Sequence, residues 1–403
     1  MDAAPAARSA HIAPPAPRPA LAGVTVLDFS TVGPAARCTR ILADYGATVV
    51  KIGAPPARSG VQIEPAFWAY AGGRGTKRVR LDLKAPAGRA AFLRLAARAD
   101  VVVESFRPGV AARLGVGYED VRRASPRVVY CSTSGYGQTG PAAGWAGHDL
   151  NYLAAGGFLA SSTPGEGGAP PLPGATIADG AAGGMHAAIA ILAALVRRAA
   201  TGEGAYLDVA VTEGVLSLMA LAIDEHLATG ADVGPGHDLL SGRYACYGVY
   251  RCRDGRWLSV AAIEPAFYAN LCRALGLDAW LGKQTDDAAQ PALRAALADA
   301  FAARDRDEWV AKLAAADTCV APVLAVAELA GDPQLAARGV FVEAAHPGRG
   351  RFRQLGPVLA GCARPSGQVA LRDAADTDTD ALLADAGYAS DEIASLRREG
   401  VIA

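Results

Sequence analysis

Residues 21–56 read LAGVTVLDFSTVGPAARCTRILADYGATVVKIGAPP, and the hydrophobic period changes twice within them. VTVLDF alternates as a strand does, AARCTRILADYG repeats with the period of a helix, and ATVVKI returns to strand, with Gly46 marking the helix end. A strand–helix–strand unit of this kind implies parallel strands joined by a crossover helix. RVRLDLKAPAGRAAFLRLAARADVVVESF repeats the order from residue 78, and YEDVRRASPRVVYCSTSGYG repeats it on a smaller scale from residue 118. Three such repeats predict an α/β fold with a doubly wound, open parallel sheet.

The chain has 403 residues, and that length points to two domains or three. The texture changes near residue 230. GRYACYGVYRCRDGRWLSVAAI, from residue 242, reads as a β-hairpin turning at Asp254–Gly255, and helices follow to about residue 316. The expected division is an Ala/Pro-rich arm at 1–20, a large domain at 21–224, a smaller α+β domain at 225–335, and a return to the large domain at 336–403. GVFVEAAHPGRGRFRQLGPV reads as strand in that last part, and SDEIASLRREG as a helix capped by Ser390.

Hydrophobic residues make up 51% and charged residues 20%, as in a globular enzyme, and a net charge of −1 gives no footprint for nucleic acid or an anionic membrane. The seven cysteines form no CxxC pair, so reduced thiols in a cytoplasmic setting and no metal site are expected. The most apolar run, MHAAIAILAALV, is too short and too Ala-rich to span a bilayer. Neither GxGxxG nor GxxxxGK[ST] occurs, so the usual nicotinamide and ATP sites are not supported. In an open parallel sheet a ligand binds beyond the carboxyl ends of the strands, which here run into FSTVGP, KIGAPP, ESFRPG and STSGYGQTGP.

Two polar positions interrupt apolar stretches. His148 stands in WAGHDLNYLAAGG at 145–157, and Asp179 opens the glycine-rich DGAAGGMH. With LAGVTVLDFSTVGPAA…ILADYGATVVKI, VVVESFRPGVAARLGVGYEDV, SGYGQTGP and RRAATGEGAYLDVAVTEGVL in this order, the chain resembles the class III CoA-transferase (CaiB–BaiF) family along nearly all of its length. Within that family GHDLNY, at 147–152, and AAIEPAFY, at 261–268, resemble the α-methylacyl-CoA racemases. The resemblance implies catalytic roles for His148 and Asp179, with Glu264 as a carboxylate near the histidine. It also implies Arg113, Phe106, Leu81, Tyr152, Asp149 and Gly180 as residues around acyl-CoA, and an interlocked homodimer. The implied reaction interconverts the enantiomers of an α-branched acyl-CoA and uses no cofactor. The rival reaction in the same family is acyl-CoA:carboxylate CoA transfer with Asp179 as the acyl-carrying nucleophile. A relative that binds a carrier without catalysis is a third reading.

The residue types fit the first reaction. Inverting a carbon next to a thioester removes a weakly acidic proton from one face and returns one to the other, and two bases on opposite sides accomplish this. Imidazole titrates near neutrality, and a carboxylate in a partly apolar site has its pKa raised toward that range. The enolate oxygen also needs stabilisation, for which the small residues of DGAAGGMH at a helix start are candidates. Asp149 reads equally as an orienting group or a helix cap. His186 reads as a packing histidine, His237, in a second GHDL at 236–239, as accidental, and Cys131 and Cys319 as buried small hydrophobes.

One departure from the family pattern stands out. Where the family has an acidic residue and an arginine that helps to hold the CoA nucleotide, this chain has Gly53 and Ala54. Arg58, Arg74, Lys77, Arg78 and Arg113 are the candidate replacements.

Overall fold

The structure, a computed structural model, describes residues 18–56 and 65–403. Most of the arm expected at 1–20, and Arg58, lie outside the described residues. The chain divides into two compact units. The first takes the described residues up to Asp149, then Ile177–Gly214 and Ala337–Ala403; the second takes Leu150–Thr176 and Val215–Ala336. The stretch expected as the small domain, 225–335, falls inside the second unit, which also takes in residues from 150–176.

The first unit is built on six parallel strands: β1 (Thr25–Asp28), β2 (Thr48–Gly53), β3 (Lys77–Arg80), β4 (Val101–Glu104), β5 (Val129–Ser134) and β6 (Ala205–Ala210). They lie in the order β3-β2-β1-β4-β5-β6, so the direction of winding reverses between β1 and β4. Side chains alternate across a strand, and the two sets of inward residues build two cores. Leu27, Val50, Val79, Val102 and Tyr130 point to one face, where Phe92 of the helix Pro86–Ala96, and Ile393 and Leu396 near the C-terminus, cover them. Val26, Val49, Val101, Val103 and Val129 point to the other face, under Ala35, Cys38 and Leu42 of helix α1 (Gly33–Asp44) and Ala187, Ala188 and Ile191 of helix His186–Thr201. Helices on both faces of an all-parallel sheet make it doubly wound, as the period switches predicted.

Pro34 lies in the first turn of α1, where its missing N–H leaves no helical bond unmade. Gly46, at φ 97°, reverses the chain into β2 in a conformation other residues avoid. A separate three-stranded sheet of β10 (Phe341–His346), β11 (Gly350–Leu355) and β12 (Val369–Ala370) also belongs to this unit. The C-terminal helix, Ser390–Arg398, corrects one expectation: Ala389 stands at the cap position, and the Glu392 carboxylate accepts its N–H at 2.8 Å.

In the second unit β7 (Tyr247–Arg251) and β8 (Trp257–Ala261) form the expected hairpin, with Gly255 at φ 78°, and β9 (Val320–Pro322) pairs antiparallel with β8. Leu258, Leu271, Leu293, Leu297 and Phe301 form its core.

The segment carrying Asp179 has an uncommon form. Ala178–Met185 is a π-helix that continues into helix His186–Thr201, and single π-turns of this kind concentrate at functional sites. Together they make one helix, Ala178–Thr201, long and apolar enough by length and composition to cross a membrane, which the shorter run considered in the sequence was not. Its buried residues pack on the sheet, as those of a core helix do.

Two glycines set how closely the π-helix approaches α1. A Cβ on Gly183 would lie 2.5 Å from Pro34 Cβ and 3.0 Å from Val211, and one on Gly184 would lie 2.8 Å from Arg37 Cβ. A Cβ on Gly180 would meet nothing within 4 Å. Gly183→Ala is therefore expected to lower the free energy of unfolding by about 1–3 kcal/mol through overpacking. Gly180→Ala is expected to leave it unchanged or raise it by up to about 1 kcal/mol through helix propensity. Urea unfolding of the two variants checks this; equal effects at both positions would refute the close-packing account.

Candidate active site

β1 ends at Asp28, and the chain leaves it through Phe29 to Val32 before α1 begins at Gly33. Because the π-helix packs on the start of α1, Asp179 reaches this exit: its Oδ2 lies 4.0 Å from where a Gly33 Cβ would stand. Gly33 has φ 80°, so glycine is required there on backbone grounds as well. The site thus lies beyond the carboxyl end of β1, next to the point where the winding reverses, which is where an open α/β sheet binds its ligands.

The structure brings His148, Asp149 and Asp179 together. Asp149 Oδ1 accepts the backbone N–H of Asp179 at 2.8 Å. Asp149 thereby serves the start of the π-helix rather than that of its own helix. Asp179 is half-buried. Burial first, and the Asp149 carboxylate second, push its pKa above the ordinary carboxylate value, while the Arg37 guanidinium and the His148 imidazole pull it back. His148 is exposed at the edge of this unit. The glycines of DGAAGGMH do not all open backbone groups to a ligand. Gly183 and Gly184 are taken up by α1, the Asp179 N–H is taken by Asp149, and only Gly180 has open space beside its Cα.

Two residues here were missed in the sequence. Arg37, on α1, places a cation near Asp179. Tyr70 accepts the Gly33 N–H on its hydroxyl oxygen at 2.8 Å, and the Arg37 guanidinium lies 5.7 Å from its ring centroid. Tyr70 and Ala71 hold left-handed backbone angles, φ 49° and 57°, which cost a non-glycine residue about 1–3 kcal/mol and concentrate at functional sites. The basic sequence context of Arg37 offered a weak signal; nothing local announced Tyr70.

The other expected site residues fall in both units. Tyr152 is half-buried and Glu264 exposed in the second unit, where Glu264 stands at the N-cap position of the helix Pro265–Leu275. Phe106 packs on Phe29 with ring centroids 5.6 Å apart, and Arg113 is exposed on the helix Val110–Leu114. Leu81, only 1% exposed, continues the inward face of β3 begun by Val79 and bridges to Ile402. Cys131 is buried as expected, but Cys319 is exposed, with φ 51°. His237 binds Glu225 at 2.7 Å. The buried Nδ1 of His186 has no hydrogen-bond partner among the described residues.

A cavity of about 290 Å³ lies beside the cluster, beyond the carboxyl ends of β1, β2 and β3. Ser30, Lys51, Tyr70, Arg78, Arg80 and Arg372 are among its walls, so Tyr70 borders both the cavity and the Asp179 cluster. Lys51 is held by the fully buried Asp28, which also accepts from Thr39 and from the Ser30 N–H at 2.7 Å. None of Leu81, Phe106 and Arg113 lines the cavity.

A doubly wound sheet with a histidine and a pKa-raised aspartate at its winding reversal defines an α/β enzyme suited to proton or acyl transfer. The model of CoA-transferase family III matches residues 21–371, and the chain belongs to that family, whose members act on CoA thioesters. It is 36% identical to the alpha-methylacyl-CoA racemase of Homo sapiens over 324 residues, 80% of this chain and 82% of the relative. It is 32% identical to the acetyl-CoA:oxalate CoA-transferase of Acetobacter aceti, over 82% of this chain and 87% of the relative. Among solved structures, a CAIB/BAIF family protein from Brucella suis superposes with a TM-score of 0.69 at 28% identity, covering 94% of this chain and 99% of that one.

The electrostatics of Asp179 can be tested without a substrate. Asp149→Asn keeps an acceptor for the Asp179 N–H but removes a like charge, so the Asp179 titration midpoint should fall. Arg37→Met removes a favourable cation, so the midpoint should rise. Carboxyl carbon shifts of aspartate-labelled protein, with Asp179→Asn to assign the signal, read both. A shift in the same direction in the two variants would refute the arrangement.

Proposed function

We propose that the enzyme interconverts the enantiomers of 2-methyl, or otherwise α-branched, acyl-CoA thioesters by two-base proton transfer. The observation that carries this reading is the pairing of His148 with an aspartate whose pKa is raised by burial, at one site and in electrostatic reach of each other. Neutral His148 removes the α-proton from one face, and the electron pair of the C–H bond moves onto the thioester oxygen as an enolate. Asp179, starting as the carboxylic acid, delivers its proton to the opposite face, and the enolate collapses to the inverted thioester. His148 then holds the proton taken from the substrate and Asp179 is left as the carboxylate, and the reverse reaction restores both. A raised carboxylate pKa favours this division, because it shifts Asp179 toward the acid form that donates the proton. Two side chains and the thioester suffice, with no cofactor entering.

Acyl-CoA:carboxylate CoA transfer, with Asp179 carrying the acyl group, is the second reading, favoured by the likeness to the Acetobacter aceti enzyme. A homodimer and a cytoplasmic location belong to the proposal too. In support of the dimer, the helix Ala220–Thr229 buries none of its residues, and Leu221 and Leu227 are 79% and 75% exposed in the single chain.

The wild-type enzyme is expected to exchange the α-proton of a 2-methylacyl-CoA in deuterium oxide and to racemise it. His148→Ala should lower racemisation by about 10²–10⁴-fold while leaving the fold intact by circular dichroism. Absence of exchange, together with trapping of an acyl group on Asp179 by hydroxylamine, would replace this reading with CoA transfer.

A further inference from the structure

β3 is an edge strand, and its sequence Arg78-Val79-Arg80-Leu81 alternates charged and apolar residues. Val79 and Leu81 enter the core, so Arg78 and Arg80 project from the opposite face, where both line the cavity beyond β1–β3. Arg80 lies across the carboxyl end of β2. Its Nη1 is 2.7 Å from where a Gly53 Cβ would stand and 3.5 Å from the Ala54 carbonyl oxygen, while Nη2 is 3.3 Å from that of Ala374. A side chain at position 53 would displace the guanidinium. Gly53 and Arg80 therefore act as a pair.

Arg372 joins them on the cavity wall. It is held by Asp378 at 2.7 Å, the same carboxylate oxygen that accepts the Arg78 N–H at 2.9 Å. Arg78 donates to the Asp373 carbonyl oxygen. Burial lowers the pKa of Arg78, and the Arg372 and Arg80 guanidiniums lower it further, against the pull of Asp376 and Asp378. Three like charges are thus crowded on a partly desolvated wall, with guanidinium groups bonded to main-chain carbonyls. Such an arrangement is relieved by a polyanion, and guanidinium is the group best matched to phosphate. The volume, about 290 Å³, lies at the lower edge of the range of about 300–1,000 Å³ typical of small-molecule sites, enough for part of an acyl-CoA rather than all of it.

We infer that Arg80, with Arg78 and Arg372, grips the phosphate-bearing nucleotide end of the CoA thioester, and that this grip comes from β3 and the segment before Asp378 rather than from the loop after β2. The inference rests on the proposed use of a CoA thioester but not on which reaction follows. Of the cations considered for the role from sequence, Arg78 lines the cavity. Arg74 is spent on Asp44 and the Leu355 carbonyl, Arg113 lies elsewhere, Lys77 is exposed on the strand edge, and Arg58 is outside the described residues.

Calorimetric titration of the full chain with adenosine 3′,5′-bisphosphate, the nucleotide end of CoA, tests this directly. Arg80→Gln and Arg78→Gln are each expected to weaken binding by about tenfold. In steady-state assays the KM for acyl-CoA should rise with kcat unchanged, because a contact remote from the reacting carbon binds ground state and transition state alike. The same acyl group on pantetheine, which lacks the nucleotide, should be handled equally by wild type and variants. Ala54→Arg should bring no gain, since Arg80 already occupies that end of β2. If Arg80→Gln does not fold, Arg78→Gln and Arg80→Lys carry the test. Affinity within about twofold of wild type in the folded variants would overturn the inference. If the nucleotide binds as expected but no α-proton exchanges, the racemase reading falls and the grip stands.

Discussion

The contact between Gly183–Gly184 and Pro34–Arg37 holds the chemistry of this protein in place. Helix axes come this close only where side chains are absent, and here a single methyl group would intrude to 2.5 Å. Because the π-helix rests directly on the first turn of α1, Asp179 reaches the exit of β1 instead of standing back by the width of a side chain. The same approach brings Arg37 to the carboxylate. Catalytic groups lose effectiveness steeply when displaced by about 1 Å, so in the proposed reaction the glycines contribute through packing alone. They serve as spacers of zero length, which differs from the role in exposing backbone N–H groups that their position near a helix start implied.

Asp179 is poised between opposing influences. Burial and Asp149 favour its acid form, and Arg37 and His148 its anion. Asp149 contributes twice, since the oxygen that accepts the Asp179 N–H fixes the start of the π-helix while its charge raises the pKa of the residue it positions. A neutral cap would give the first effect without the second. In the proposed two-base reaction, a group that must both hold and release a proton is better served by such a balance than by any single strong perturbation, which would trap one form.

Much of the fold was legible because hydrophobic period is a local property. The switches at 21–56 and 78–106 announced parallel strands, and parity within each strand separates the two cores without further information. The same parity in RVRL separates Leu81 from Arg78 and Arg80. Leu81 shares the parity of Val79 and packs in the core with it. His148 and Asp179 were visible as polar breaks in apolar runs. Asp149 as a cap for a helix 30 residues later, and Tyr70 as the partner of Gly33 37 residues earlier, were not visible, since both contacts depend on tertiary approach. Tyr70 was further concealed by its backbone. A run of left-handed residues that includes Tyr70 and Ala71 runs against the preference of those residue types, and local propensity reads such a stretch as something else.

That strained turn links the two parts of the site. On one side of Tyr70 lie Gly33, Arg37 and Asp179, where a proton or an acyl group is to be moved. On the other lies the cavity walled by Lys51, Arg78, Arg80 and Arg372. A thioester of CoA has the same division, with a polyanionic nucleotide at one end and a reacting carbon at the other. Binding energy from the nucleotide end serves catalysis only if it fixes where the thioester falls, and that requires a rigid connection between grip and bases. The Tyr70 hydroxyl, bonded to the Gly33 N–H at 2.8 Å, ties the cavity wall to the first residue of α1. A relaxed turn would spare about 1–3 kcal/mol of backbone strain but would leave the wall free to shift against Asp179.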